Sequence, residues 1–141
     1  MALSWDEIRE HLRKTYRVLR DDDDAMALSW SADTPIGDVT QGLGLAPMMI
    51  DERPWLTMVC EIALEDGFPL RTALLYQDRL AFGGLVLRRG MYLLRHGVAL
   101  DAITVPELEW TIRTMVNEAA RMRVNIAVKS PVGDAFTNYE D

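Results

Sequence analysis

The sequence predicts an α+β domain in which helices cover an antiparallel sheet. Capped amphipathic helices stand near both ends of the chain, and the segments between them alternate apolar and polar residues. Short turns join most of these segments, and strands joined by short turns pair antiparallel. A sheet with one apolar face needs helices to cover it. The expected element order is helix, three strands, helix, two strands, helix.

The length and composition fit one domain with its own hydrophobic core. The chain has 141 residues, of which 49% are hydrophobic, and a chain of this length buries roughly 68–70% of its unfolded surface. One cysteine forms no internal disulfide, and with two histidines it makes a poor zinc site. We therefore expect no metal and no cofactor. The predicted domain spans 1–126, with a flexible tail over 127–141.

The charge and hydropathy patterns exclude several classes of partner. A net charge of −7 argues against nucleic acid, whose affinity depends on Lys and Arg neutralising phosphates. No apolar run approaches the roughly 20 residues of a membrane span. The first ten residues lack the basic and apolar regions of a signal peptide. We therefore expect a cytoplasmic protein whose partners are neither nucleic acid nor membrane.

The first helix has a clear start signal. Ser4 is a good N-cap with Glu7 three residues later, and Leu3 and Ile8 fall at the two positions of a hydrophobic staple. The apolar residues that follow keep helical spacing, which predicts a helix that ends near Arg20.

Three strands are predicted in the first half of the chain. Four aspartates at 21–24 indicate a solvated turn, and 25–32 alternates large with small side chains, as a strand does. The segment 33–46, rich in Gly and Pro, is predicted to be a loop. Strands are expected at 47–50 and at 55–64, the second with Cys60 buried on its apolar face.

The second half of the chain is predicted to contain a helix, two strands and a final helix. A helix is predicted at 69–78 and two strands at 81–88 and 91–99, with Gly83 and Gly84 indicating a bulge or a close backbone approach. The last helix begins at Thr104, with Glu107 completing the capping box, and its periodicity is lost after about Val124.

The sequence contains no motif for catalysis. His11 and His96 have no carboxylate or cysteine near them in sequence that would indicate a base, a triad or a metal site. Glu107 is explained by capping, and Glu109 is expected to be solvated. We therefore assign no catalytic residue.

The block from Gly83 to Ala119 resembles the hairpin and final helix of the YbjN-like proteins, which are related to the CesT-type class I type III secretion chaperones. The segment 100–108 resembles the pattern L-D-x-[IL]-[ST]-x-E-[LE], with one extra residue before the glutamate. The segment before Gly83 resembles the middle helix of the family. The resemblance covers about 68–124, and the first half matches only in the order of its elements.

The resemblance implies a small, acidic, cytoplasmic homodimer without enzymatic activity that holds or regulates a partner protein. Strand addition to a sheet edge, together with apolar pockets, is the physical basis of such binding. We expect the edge near 25–32 or within 47–64. The candidate partner-binding residues are Met26, Leu28, Trp30, Met48 and Trp110, and the candidate dimer residues are Leu70, Leu74 and Leu75. Leu75→Glu is expected to dissociate the dimer.

Two other functions remain open at this point. The first is a small-molecule sensor or regulatory domain, with Trp30, Tyr92 and His96 lining a pocket. The second, which the sequence favours least, is an enzyme that uses His96 as its base.

Overall fold

The computed structural model describes residues 3–129, with side chains from 3 to 127. Its helices and strands, in chain order, are α1 Trp5–Thr15, β1 Arg17–Asp21, β2 Met26–Thr34, β3 Gly37–Ile50, β4 Arg53–Leu64, α2 Leu70–Gln77, β5 Gly84–Arg88, β6 Met91–Ala99 and α3 Val105–Lys129. Two short 3₁₀ turns, Glu65–Gly67 and Leu100–Ala102, precede α2 and α3.

The six strands form one antiparallel sheet in the order β1-β2-β3-β4-β6-β5. The predicted α+β class is therefore confirmed. The predicted element order holds broadly, with β1 as one additional strand. The sheet ends at β1 on one side and at β5 on the other, and β2, β3, β4 and β6 lie between two neighbours.

One face of the sheet carries the hydrophobic core. The long helix α3 crosses β2, β3 and β4, and residues of α1 and α2 belong to the same buried cluster. Alternate residues of the central strands contribute to it, as a strand with period two requires. Its sheet residues include Met26, Leu28, Leu43, Leu45, Leu56, Met58, Cys60 and Leu94.

The two predicted helix starts are confirmed. The Ser4 hydroxyl accepts a hydrogen bond from the Glu7 backbone N–H at 3.1 Å. Thr104 and Glu107 form a reciprocal capping box, in which each side chain accepts from the backbone N–H of the other, at 3.3 and 3.2 Å. These bonds satisfy donors that a helix start leaves without partners.

The first helix is shorter than predicted. It ends at Thr15, and Tyr16 is already extended, with φ −125° and ψ 162°. The next five residues form β1, an edge strand that pairs with β2. Val18 packs against the core from this strand. Strand pairing therefore overrides the helical spacing that predicted an end near Arg20.

The predicted loop over 33–46 is wrong. Except for a turn at Pro35 and Ile36, it consists of the end of β2 and most of β3, which continues without a break through the predicted strand 47–50. Leu43 and Leu45 point into the core, and Gly42 and Gly44 alternate with them toward the other face. Glycine is rare in strands, which is why the composition indicated a loop.

The predicted close approach at Gly83 is confirmed. Its φ is +70°, and a Cβ there would lie 2.9 Å from the carbonyl oxygen of Arg95. Only glycine fits this contact. The strand predicted at 81–88 begins at Gly84, so its predicted start is wrong by three residues.

The last helix is longer than predicted. It continues beyond Val124 to Lys129, and Val124 and Ile126 are buried. The predicted boundary after residue 126 therefore falls within a helix. The remainder of the predicted tail, 130–141, lies outside the described residues. No helix in the described part of the chain is long and apolar enough to span a membrane.

Candidate partner-binding surfaces

The face of the sheet opposite the core is lined by small side chains and is not covered by α1, α2 or α3. Register places Ala27 beside Gly44 and Ser29 beside Gly42, and Gly44 faces Val59 on β4. These residues alternate with those that enter the core. The second face of an antiparallel sheet usually carries polar residues in contact with water. The small and apolar residues here leave room for another chain.

A trough of about 790 Å³ opens on this uncovered face, and core-side residues of β2 and β3 also line it. Its volume is within the range of ligand-binding pockets. Its floor includes Ala27, Gly42, Gly44, Val59 and Leu93. Its charged lining residues are Arg88, Arg89, Arg123 and Glu61. We call this surface the trough.

Arg123 reaches the trough from α3, on the core side of β3. Its Nη1 donates hydrogen bonds to the Thr40 carbonyl oxygen and to the Gln41 Oε1, both at 2.9 Å. Gln41 is buried, and its own Nε2 donates to the carbonyl oxygens of Gly42 and Glu61. The guanidinium group therefore has a defined position.

A second apolar surface lies around α2. Leu70 and Leu74, one helical turn apart, are 60% and 63% exposed, and Leu87 on β5 is 45% exposed. We call these three side chains the α2 surface. The neighbouring Gln77 accepts a hydrogen bond from the Leu85 backbone N–H through its Oε1. This bond occupies one outward donor of the edge strand β5.

A third feature is an aromatic cluster. The Phe82 ring stacks on His96 at 4.1 Å between centroids and meets Trp110 edge-on at 5.9 Å. Beside it, Trp55 and Trp110 both line an open pocket of about 550 Å³. Burial lowers the pKa of His96, which favours its neutral form.

A carboxylate joins α1 to α3. Glu109 accepts a hydrogen bond from the Tyr16 hydroxyl through Oε2, and its Oε1 pairs with Nε2 of His11. Burial and the Glu109 carboxylate raise the pKa of the Tyr16 hydroxyl. The prediction that Glu109 is solvated is therefore wrong. These partners are more than 90 residues apart in sequence, so no local pattern indicates the contact.

The predicted partner-binding residues do not form one surface. Met26 and Leu28 are 1% exposed and lie in the core, so their assignment to partner binding is wrong. Trp30 is half-buried and its ring lies 4.6 Å from that of Tyr16. Met48 and Trp110 are exposed, Met48 near the trough face and Trp110 on α3.

The predicted binding edge is also misplaced. The segments 25–32 and 47–64 lie mainly in β2, β3 and β4, each of which has strand neighbours on both sides. Of the predicted dimer residues, Leu70 and Leu74 are exposed, whereas Leu75 is half-buried. The free edges belong instead to β1 and β5.

The pocket expected for a small-molecule sensor is not formed by the three residues named for it. Trp30 packs on Tyr16, Tyr92 on Phe68 with 5.3 Å between the ring centroids, and His96 on Phe82.

Cys60 is buried as predicted, and burial raises the pKa of its thiol to about 12. Within residues 3–129, no group of three or more His, Cys, Asp or Glu side chains is placed to hold a metal ion.

The arginines of the trough were missed at the level of sequence. The one indication in the sequence is the Arg89-Gly90 turn, because a two-residue hairpin turn usually has Asn-Gly at these positions.

In comparisons with known proteins, no family model, no curated protein and no solved structure matches this chain. The resemblance to YbjN-like proteins therefore stays a prediction.

Proposed function

We propose that this protein is a cytoplasmic, non-enzymatic, chaperone-like module that forms a homodimer and holds an extended segment of a partner protein. The observation that carries the proposal is the trough on the uncovered sheet face, whose floor is small and apolar. Extended peptides bind along such surfaces because their alternate side chains can enter shallow apolar depressions. Exposed apolar surface of this kind is typical of an interaction site.

The homodimer is supported by the α2 surface. Leu70, Leu74 and Leu87 expose apolar area beside β5, a strand edge of the sheet. A two-fold dimer uses the same patch on both copies, and this patch lies away from the trough floor. The proposal therefore gives the two surfaces separate partners, a second copy at α2 and a partner protein in the trough.

The non-enzymatic part of the proposal is supported by what the titratable side chains contact. His11 is engaged by Glu109, and His96 is stacked on Phe82 with a lowered pKa. The buried thiol of Cys60 is protonated at neutral pH, because its pKa is raised to about 12. The Cys60 thiol is therefore not an activated nucleophile.

The test is to fill the trough without changing its charge. A Cβ at Gly42 would meet nothing closer than the Leu28 carbonyl oxygen at 3.9 Å, so Gly42→Tyr adds a bulky neutral side chain that strands favour. Gly67→Tyr is the matched control, because a Cβ there has no neighbour within 4 Å. Tagged wild type and both variants are recovered from native-host lysate, and their co-purifying proteins are quantified by mass spectrometry.

We expect one stoichiometric partner with wild type and with Gly67→Tyr, and its loss with Gly42→Tyr. All three proteins should show the same circular dichroism spectrum and the same oligomeric mass. Recovery of the protein alone, or equal recovery of the partner with both variants, would contradict the proposal.

A further inference from the structure

The charge around the trough differs from that of the whole chain. The chain carries 22 acidic and 15 basic residues, yet the trough is lined by Arg88, Arg89 and Arg123 against the single carboxylate of Glu61. A local excess of cations in an acidic protein attracts anionic groups to that place.

Two of these arginines are not paired with carboxylates of the part of the chain that the structure describes. Arg88 and Arg89 make no ion pair among the described residues. Glu65 lies close to their turn, because its backbone N–H donates a hydrogen bond to the Gly90 carbonyl oxygen at 2.9 Å. Five other arginines do pair with nearby acids: Arg9, Arg13, Arg20, Arg53 and Arg121. Arg88 and Arg89 are therefore available to a ligand, whereas Arg123 already donates to Thr40 and Gln41.

The backbone at Arg89 gives an independent indication. Arg89 and Gly90 have φ +51° and +78° and connect β5 to β6. Both central residues of such a two-residue turn need positive φ, which favours Asn, Asp or Gly at the first position. Arginine is disfavoured in this conformation, and an unfavourable residue at a strained position is a reason to look for a function.

The two groups of arginines lie on different sides of the trough. Arg123 is held over β3 by its bonds to Thr40 and Gln41, whereas Arg88 and Arg89 lie at the β5–β6 turn. Of the floor residues, Val59 on β4 and Leu93 on β6 lie between β3 and β5 in the strand order. A ligand that contacts both groups must place anionic groups at its periphery and apolar groups between them.

From this arrangement we infer that the trough recognises an acidic, extended segment of the partner protein. The inference rests on the proposed function and adds the chemistry of the segment. An extended chain alternates its side chains, so acidic residues can contact the arginines while apolar residues contact the floor. A nucleic acid fits poorly, because the net charge of −7 repels a phosphate polymer that extends beyond the trough.

The test uses the full-length protein and three labelled octapeptides that alternate Val with Glu, Gln or Lys. Fluorescence anisotropy should give the tightest binding for the Glu peptide and the weakest for the Lys peptide. Binding of the Glu peptide should weaken as salt is raised, since exposed charges are screened. The double variant Arg88→Gln/Arg89→Asn should weaken it by about tenfold and leave the Gln peptide unchanged.

Arg89→Asn alone separates loss of binding from loss of folding. Asparagine suits positive φ better than arginine, so this variant should melt at a higher temperature than wild type while it binds the Glu peptide more weakly. Arg113→Gln, which removes an exposed arginine from α3, is the control and should change neither quantity.

Three results would overturn the inference: equal affinity for the Glu and Gln peptides, wild-type affinity in the double variant, or no binding of any peptide. A change of oligomeric mass in the double variant would overturn it too, because the trough would then hold a second copy. If the Gln peptide binds as tightly as the Glu peptide and Gly42→Tyr abolishes both, the proposed function stands and only the acidic preference fails.

Discussion

The two edges of the sheet are built differently. The β1 edge carries Arg17, Arg20 and Asp21, its pairing with β2 shifts register between Val18 and Arg20, and two arginines of α1 bond Asp21. The β5 edge, from Gly84 to Arg88, has three consecutive apolar residues and pairs with β6 without a shift.

This difference indicates which edge can accept another strand. Charged side chains and bulges are the usual means by which proteins prevent an edge from pairing with other chains. The β1 edge has both. On the β5 edge, the Gln77 side chain accepts a hydrogen bond from the Leu85 N–H. This edge also adjoins the exposed leucines of α2. The sheet is therefore open to association on the β5 side.

The largest expected effect comes from a charge at the α2 surface. Leu74→Glu should dissociate the homodimer, weakening association by about a hundredfold, because a two-fold interface receives the substitution twice. Leu74 is 63% exposed, so the monomer fold should be unchanged. It is a better site than the half-buried Leu75, where a glutamate would also disturb packing. Sedimentation velocity measures the mass.

The matched control lies at the opposite edge. Leu19 on β1 is 58% exposed, and Leu19→Glu should leave the dimer intact because this edge is protected by charge. A monomeric wild type, or a dimer that survives Leu74→Glu, would show that the α2 surface is not the dimer contact. Dissociation by Leu19→Glu would reverse the assignment of the edges.

The features that were predictable from sequence are local ones. The caps at Ser4 and Thr104 depend on residues three apart. The Ser4 hydroxyl and both side chains of the Thr104–Glu107 box make the expected hydrogen bonds. The strand β6 was predicted with its observed bounds, Met91–Ala99. Such local patterns predict the observed structure because they do not depend on residues in distant parts of the chain.

The features that were missed depend on distant partners. β1 is a strand because β2 offers it a partner, and β3 remains a strand despite Gly42 and Gly44 because it pairs on both sides. Similarly, Glu109 is engaged by His11 of α1 and by Tyr16, which follows α1. The trough joins residues of β3, α3 and the β5–β6 turn, so its arginines share no sequence pattern.

A smaller effect is expected when the β5 edge loses its hydrogen bond to Gln77. Gln77→Ala leaves the Leu85 N–H without its acceptor and should lower the free energy of unfolding by about 1 kcal/mol. Hydrogen exchange at Leu85 should become faster. Gln77→Glu keeps a side-chain oxygen and is the control. If the alanine variant exchanges Leu85 at the wild-type rate, this bond does not protect the edge.

The smallest effect concerns the charges that tie β1 to α1. Hydrogen bonds from Arg13 and Arg9 hold the pKa of Asp21 below its usual value, so the charged pair stabilises the folded state above the unfolded pKa of about 3.9, and this contribution is lost as the pH falls through the folded pKa. Urea unfolding should therefore find Asp21→Asn slightly less stable than wild type at pH 7, by an amount that shrinks with salt.

The stabilities of Asp21→Asn and wild type are also compared at low pH, to test whether charge protects the β1 edge. Below the folded pKa, Asp21 is protonated in wild type as well, so the two stability curves should converge. Asp24→Asn, at an exposed residue of the β1–β2 turn, should follow wild type at every pH. A difference between Asp21→Asn and wild type that persists unchanged into acid would mean that Asp21 acts through packing or its neutral hydrogen bonds. The protection of β1 would then not depend on charge.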